Sequence, residues 1–135
     1  MRRFCRRHGA GGPPCSCSMG KVSRLIEPVV ILALKQHPGM HGYDLVRHVQ
    51  DLAMTDSEIE PGAVYRMLRQ LEDAGMVVSH WDTSGTGPAR RCYSLTEAGE
   101  LHLVDWAHVI ERRRQEMERF LKVFREITEQ AHETS

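Results

Sequence analysis

From Thr96 to the last residue there is no proline, and over that stretch Leu103, Trp106, Ile110, Arg113, Met117, Phe120, Phe124 and Ile127 recur in alternating steps of three and four. The steps describe a heptad seam broken only by Arg113, and they predict a helix from Glu97 to about Thr128, with 129–135 as a tail. Thr96 reads as its N-cap and Glu97 as a favourable first-turn acid. At 1.5 Å per residue such a helix is roughly 48 Å long, longer than a small domain is wide. A single chain cannot cover an apolar stripe of that length. The same helix of a second copy, related by two-fold symmetry, is therefore expected to pack on it through Leu103, Trp106, Ile110, Met117, Phe120 and Phe124.

The rest of the 135 residues has the size of one domain, and a hydrophobic share of 41% supplies one core. Val29-Val30-Ile31-Leu32-Ala33-Leu34 is apolar all round and compatible with a buried strand or a buried helix. Pro28 before it, at a first helical position, and Pro38-Gly39 after it favour a helix to Gln36. His41-Gly42-Tyr43-Asp44 opens a second helix in which Tyr43, Val46, Val49 and Leu52 recur at helical spacing, ending near Ala53. An acidic, loop-like stretch at 54–60 leads to Pro61. A third helix there carries Ala63, Val64, Met67, Leu68 and Leu71 and closes at Gly75. Met76–Asp82 and Cys92–Leu95 are rich in strand formers. The turn residues between them, Thr83 to Ala89, make the pair an antiparallel hairpin, with Arg90 and Arg91 where the tip returns. Three helices and a two-stranded wing give a mainly α fold with a small β-hairpin. This is a winged helix-turn-helix over 25–95, followed by the long dimerisation helix over 96–128.

The formal charge of zero hides a strong asymmetry. Residues 1–24 hold Arg2, Arg3, Arg6, Arg7, Lys21 and Arg24 and no acid; 61–95 is +1, while 25–60 is −4 and 96–135 is −3. The leader, rich in glycine, proline and serine, has no hydrophobic period and reads as a flexible basic arm. No apolar run approaches the ~20 residues of a membrane span and no signal peptide is recognisable, so a cytoplasmic location is expected.

In a winged helix-turn-helix the third helix enters the major groove and the wing reaches the backbone or minor groove. Here the exposed side of that helix would be Arg66, Arg69, Gln70 and Asp73. Arginine can take guanine O6 and N7 bidentately or neutralise a phosphate. An ordinary solvated helix face is the alternative reading of the same spacing. Lys21, Arg24, Arg90 and Arg91 are further phosphate candidates.

The leader also holds Cys5, His8, Cys15 and Cys17, four donors of the kind zinc uses. A metal- or redox-responsive regulator using this cluster is one reading; against it, Cys-x-Cys bites poorly on one metal, and a mobile arm that binds phosphate non-specifically is the competing reading. A disulfide framework is not expected inside a cell. Cys92 alternates with its neighbours as a small buried strand residue does. His102 and His108 lie six apart on different helix faces. A phosphate loop, a nucleophile elbow and a carboxylate–histidine motif are all missing, so no enzyme and no cofactor is expected. A protein-interaction adaptor built on the same winged domain is the other class to consider.

The strings His41-Gly42-Tyr43-Asp44-Leu45, Pro61-Gly62-Ala63-Val64-Tyr65, Leu68-Arg69-Gln70-Leu71-Glu72, Gly75-Met76-Val77 and Arg91-Cys92-Tyr93-Ser94-Leu95-Thr96-Glu97-Ala98-Gly99 resemble the PadR family of bacterial transcriptional regulators over about residues 25–125. The resemblance implies a homodimeric repressor on a two-fold, double-stranded operator, released by a small-molecule or polymer effector. On that likeness Tyr65 and the start of its helix touch the DNA backbone, Arg66 and Arg69 face the groove, and Arg90 and Arg91 serve the wing; Tyr43 and Gln70 are further DNA-contact candidates. Arg66 departs from the proline that family members often carry there. Trp81-Asp82-Thr83 with Gly87-Pro88-Ala89-Arg90-Arg91 also looks like the subgroup of polyhydroxybutyrate-responsive repressors. Trp106, near the start of the last helix, reads as dimer core rather than as a ligand shelf.

Overall fold

The computed structural model describes residues 25–53 and 58–133. Its elements, in chain order, are α1 (Ile26–Gln36), β1 (Met40–His41), α2 (Gly42–Leu52), α3 (Pro61–Asp73), β2 (Val77–Asp82), β3 (Arg90–Leu95) and α4 (Glu97–Glu133). The chain divides into two compact units between Glu100 and Leu101. Lys21, Arg24, Cys5, His8, Cys15 and Cys17 lie outside the described residues.

The first unit is built on one core. Val30, Ile31, Ala33 and Leu34 of α1 are buried against Leu45 and Val49 of α2, Val64, Leu68 and Leu71 of α3, and Val77 and Cys92 of the sheet. Each fully buried large aliphatic side chain contributes about 1.5–3 kcal/mol by leaving water. The apolar run of α1 packs against α2, α3 and β3 at once, with Leu32 alone among residues 29–34 left exposed. The helix opens at Ile26, two residues earlier than expected. Pro28 therefore takes the third position of the first turn, where its missing N–H would have had no intrahelical partner.

In α2 the inward stripe is Gly42, Leu45 and Val49, and Tyr43 is 72% exposed rather than part of the apolar face. Two residues before Leu45 is about 200° around the helix, which turns Tyr43 away from the core. Gly42 has to be small. A Cβ there would come within 2.9 Å of the Tyr65 ring and 3.2 Å of the Tyr93 ring.

The sheet has three strands rather than the two of a simple hairpin, in the order β1-β3-β2, both pairings antiparallel. The added strand comes from a turn in which Gly39 adopts φ +77° and donates its N–H to the Tyr93 carbonyl at 3.1 Å. This delivers Met40 opposite Tyr93 and His41 opposite Cys92. Arg90 and Arg91 lie within β3, paired with Asp82 and Trp81, and not at the turn itself.

α3 ends in a Schellman motif. Gly75, at φ +77°, donates to the Glu72 carbonyl (3.0 Å), and Met76 donates to the Leu71 carbonyl (2.9 Å). Thr96 then ties the start of α4 to this end. Its N–H donates to the Met76 carbonyl at 3.0 Å, its hydroxyl donates to the Gly75 carbonyl at 2.7 Å, and its Oγ1 accepts the Gly99 N–H at 3.2 Å as the N-cap. A Cβ on Gly99 would stand 2.2 Å from the Met76 carbonyl oxygen. The Lys35–Glu100 pair (2.7 Å) adds an exposed tie to α1.

The second unit is the remainder of α4. The helix continues to Glu133, five residues beyond the expected Thr128, and spans roughly 55 Å. Met117, Phe120, Phe124 and Ile127 are exposed, and Leu103, Trp106 and Ile110 half-buried. Arg114 is paired with Glu111 and, at 3.1 Å, with Glu118, pairs that support an exposed helix. Among the described residues no helix is long and apolar enough to cross a membrane.

The junction generates a prediction. Gly99→Ala forces a methyl group onto a backbone carbonyl that cannot swing aside, and should cost about 1–3 kcal/mol or more. Thermal unfolding should show a Tm several degrees lower; an unchanged Tm would contradict the close approach.

Candidate nucleic-acid interface

The N-terminus of α2, the first turns of α3 and strand β3 enclose an open cleft of about 540 Å³, lined by His41, Gly42, Tyr43, Asp44, Tyr65, Arg90, Arg91 and Tyr93. Four of the residues expected from sequence to meet DNA, Tyr43, Tyr65, Arg90 and Arg91, thus converge although they come from three separate elements. The absent side chain of Gly42 is what lets the Tyr65 and Tyr93 rings close on the start of α2. Neither α2 nor α3 has a side-chain cap at its N-terminus. Arg47 lies over the Tyr43 ring at 5.9 Å, a cation–π contact on the same surface.

Arg66, Arg69 and Gln70 are all exposed on α3, on the side opposite buried Val64, Leu68 and Leu71. They lie outside the cleft lining. Tyr65, 37% exposed, belongs to both surfaces.

Arg91 has a second job that sequence reasoning did not anticipate. Its Nη2 donates to Glu72 of α3 at 3.2 Å, its Nε donates to Ser79 Oγ at 2.9 Å, and its guanidinium lies 5.6 Å from the centre of the Trp81 ring. The Ser79 hydroxyl in turn donates to Glu72. The wing is thereby braced to the helix beside it. Only a register that places Trp81 opposite Arg91 and Ser79 opposite Tyr93 puts these groups together, which is why the string alone did not reveal them.

The base of the wing holds a further cluster. His41 Nε2 is 3.0 Å from Asp82 Oδ2, and the Ser84 N–H (3.0 Å) and hydroxyl (2.5 Å) both donate to Asp82 Oδ1. These donors, Ser84 foremost and His41 after it, hold the Asp82 carboxyl well below the usual carboxylate range. Burial pushes the Cys92 thiol up, with the neighbouring Asp82 charge acting in the same direction. Burial likewise raises the Tyr93 phenol.

A three-helix domain with a wing, an exposed arginine-bearing third helix and a cleft of tyrosines and arginines defines a winged-helix DNA-binding protein. The model of the PadR-like family of transcriptional regulators matches residues 30–105, more than half of the chain, and the chain belongs to that family. Among solved structures it is similar to a PadR family transcription regulator from Clostridium difficile, at 21% identity and TM-score 0.62 over 71% of this chain and 97% of that one. It is also similar to Bacillus subtilis PadR in complex with operator DNA, at 23% identity and TM-score 0.54 over 62% of this chain and 47% of that one. A PadR-like regulator from Bacillus cereus matches at 18% identity and TM-score 0.63, over 74% of this chain and 94% of that one. No curated protein matches. The narrower likeness to polyhydroxybutyrate-responsive repressors finds no support in these matches.

The brace can be measured. In a double-mutant cycle of Glu72→Ala and Arg91→Ala, chemical denaturation should return a coupling of about 0.2–1 kcal/mol, given that both side chains are partly exposed. The coupling should shrink as salt rises. A value near zero at low salt would show that the two side chains do not brace the wing.

Proposed function

We propose that the protein is a cytoplasmic homodimeric repressor that binds a two-fold, double-stranded operator and is released from it by a small-molecule or polymer effector. The observation that carries this reading is the convergence of Tyr43, Tyr65, Arg90 and Arg91 on one cleft beside the exposed arginine face of α3. In the proposed complex a backbone phosphate sits in that cleft, held by the two phenols, the wing arginines and the uncapped first-turn N–H groups of α2. Arg66, Arg69 and Gln70 enter the major groove, where bidentate contact to a base supplies specificity. Lys21, Arg24 and the rest of the basic leader add salt-dependent attraction to phosphates.

The second copy follows from the seam. Met117, Phe120, Phe124 and Ile127 are 57–71% exposed on one stripe of α4, an arrangement that water disfavours and a partner helix removes. Leu103, Trp106 and Ile110 continue the same stripe. Two winged domains related by a two-fold axis read half-sites about 34–36 Å apart, or a multiple of that.

Fluorescence anisotropy with a duplex from the gene's own upstream region, repeated over a salt series, tests the reading. Binding should weaken steeply as salt rises, and absence of salt-sensitive binding to any duplex would refute it. Arg69→Ala should cost about 1–3 kcal/mol on the operator and much less on random sequence. Equal losses on both would assign Arg69 to phosphate. Ile110→Glu combined with Phe120→Glu should give monomers by size-exclusion chromatography with light scattering; a surviving dimer would disprove the seam.

A further inference from the structure

The three strands of the sheet bring together three side chains that sequence order keeps far apart. His41 of β1 is opposite Cys92 of β3, and Asp82 of β2 lies two residues beyond His80, the partner of Cys92 on its other side. Laterally paired residues, and residues two apart on a strand, share a face, so all three project from the same side of the sheet. A nitrogen of His41, the Cys92 Sγ and a carboxylate oxygen of Asp82 lie within 4.8 Å of one another. Ligands around a tetrahedral zinc are separated by about 3.3–3.8 Å, given its bond lengths of 2.0–2.3 Å. A small inward movement therefore closes the set.

We propose that His41, Asp82 and Cys92 form a binding site for a divalent metal ion of the zinc type, which pins the wing to the sheet. The donors match the preference of that ion for imidazole, thiolate and carboxylate. Their surroundings are already oriented. Asp82 Oδ1 is held by the Ser84 amide and hydroxyl, which leaves Oδ2 directed at His41. Asp44 Oδ2 stands 3.8 Å from His41 Nδ1, too far for a hydrogen bond as it is but near enough to accept that N–H if the imidazole shifts onto a metal. The ion takes the place of the His41–Asp82 hydrogen bond, and the Cys92 thiol gives its proton to solvent as the metal–sulfur bond forms. A fourth coordination position opens on a cleft of about 320 Å³, lined by His41, Asp82, Ser84, Gly85, Thr86, Gly87, Pro88 and Arg90. An ion here cross-links β1, β2 and β3 at the root of the 83–89 loop. Because His41 and Arg90 also line the larger cleft, the bound state changes the surface there.

The test is anaerobic titration of the full-length protein with Co²⁺, in a C5S/H8A/C15S/C17S background that removes the leader donors. One equivalent of cobalt should produce a near-ultraviolet thiolate charge-transfer band and visible bands of tetrahedral intensity, reversed by Zn²⁺. Cys92→Ser should remove the charge-transfer band. His41→Gln and Asp82→Asn, both on partly exposed groups, should each weaken binding tenfold or more while circular dichroism stays unchanged. Asp44→Asn should weaken it about tenfold through the histidine. No thiolate band in the leader-free background would overturn the proposal, as would a band that survives Cys92→Ser. Cobalt affinity unaffected by both His41→Gln and Asp82→Asn would do the same, whatever the fate of the cysteine variant. None of these readouts involves DNA, so they stand or fall separately from the repressor reading.

Discussion

The contact of Gly99 with the Met76 carbonyl constrains the molecule more than any other single approach. A Cβ at 2.2 Å has no room, so the chain can enter α4 here only through glycine. The same carbonyl accepts the Thr96 N–H, and the Thr96 hydroxyl reaches the neighbouring Gly75 carbonyl. One residue pair on each side thus fixes three things at once: where α3 stops, where β2 begins and where α4 starts. The backbone groups at the end of one helix are satisfied by the beginning of another. Val64, Leu68 and Leu71 of the helix that ends here and Val77 of the strand that begins here are all buried in the core.

Beyond that junction the base of the wing is packed into the core through Val77, Cys92 and Tyr93, and polar contacts hold the part that reaches past it. Glu72, Ser79, Arg91 and Trp81 form a partly exposed network, and Ser84 and His41 grip Asp82 at the other end of the hairpin. Such contacts are individually weak and sensitive to salt.

Much of the architecture was legible in the string because it rests on local rules. Proline at 61 and glycine at 75 bracket α3, and Val64, Leu68 and Leu71 lie on its inner side. The proline-free heptad of α4 marked the long helix, although its last turns ran past Thr128 because the polar residues there are good helix formers. The misreadings share one cause. Tyr43 is apolar and correctly spaced, yet the core accepts only Leu45 and Val49, and a neighbouring element decides that. β1 has two residues and no propensity signal of its own; it is a strand because the Gly39 turn presents it to β3.

The candidate sites divide along the same line. Arg66, Arg69 and Gln70 share one helix, so their common face could be read from spacing. Tyr43, Tyr65, Arg90 and Arg91 could be named individually, but their meeting in one cleft depends on the packing of Gly42 against two tyrosine rings. The triad of His41, Asp82 and Cys92 was invisible, because strand order and register alone bring positions 41, 82 and 92 together. Sequence by itself determined the periodic elements, their caps and the unequal distribution of charge, since each depends on residues within a few positions of one another. Tertiary structure decided which side chains converge, because convergence between elements depends on the shape of the core, which no short window of sequence contains.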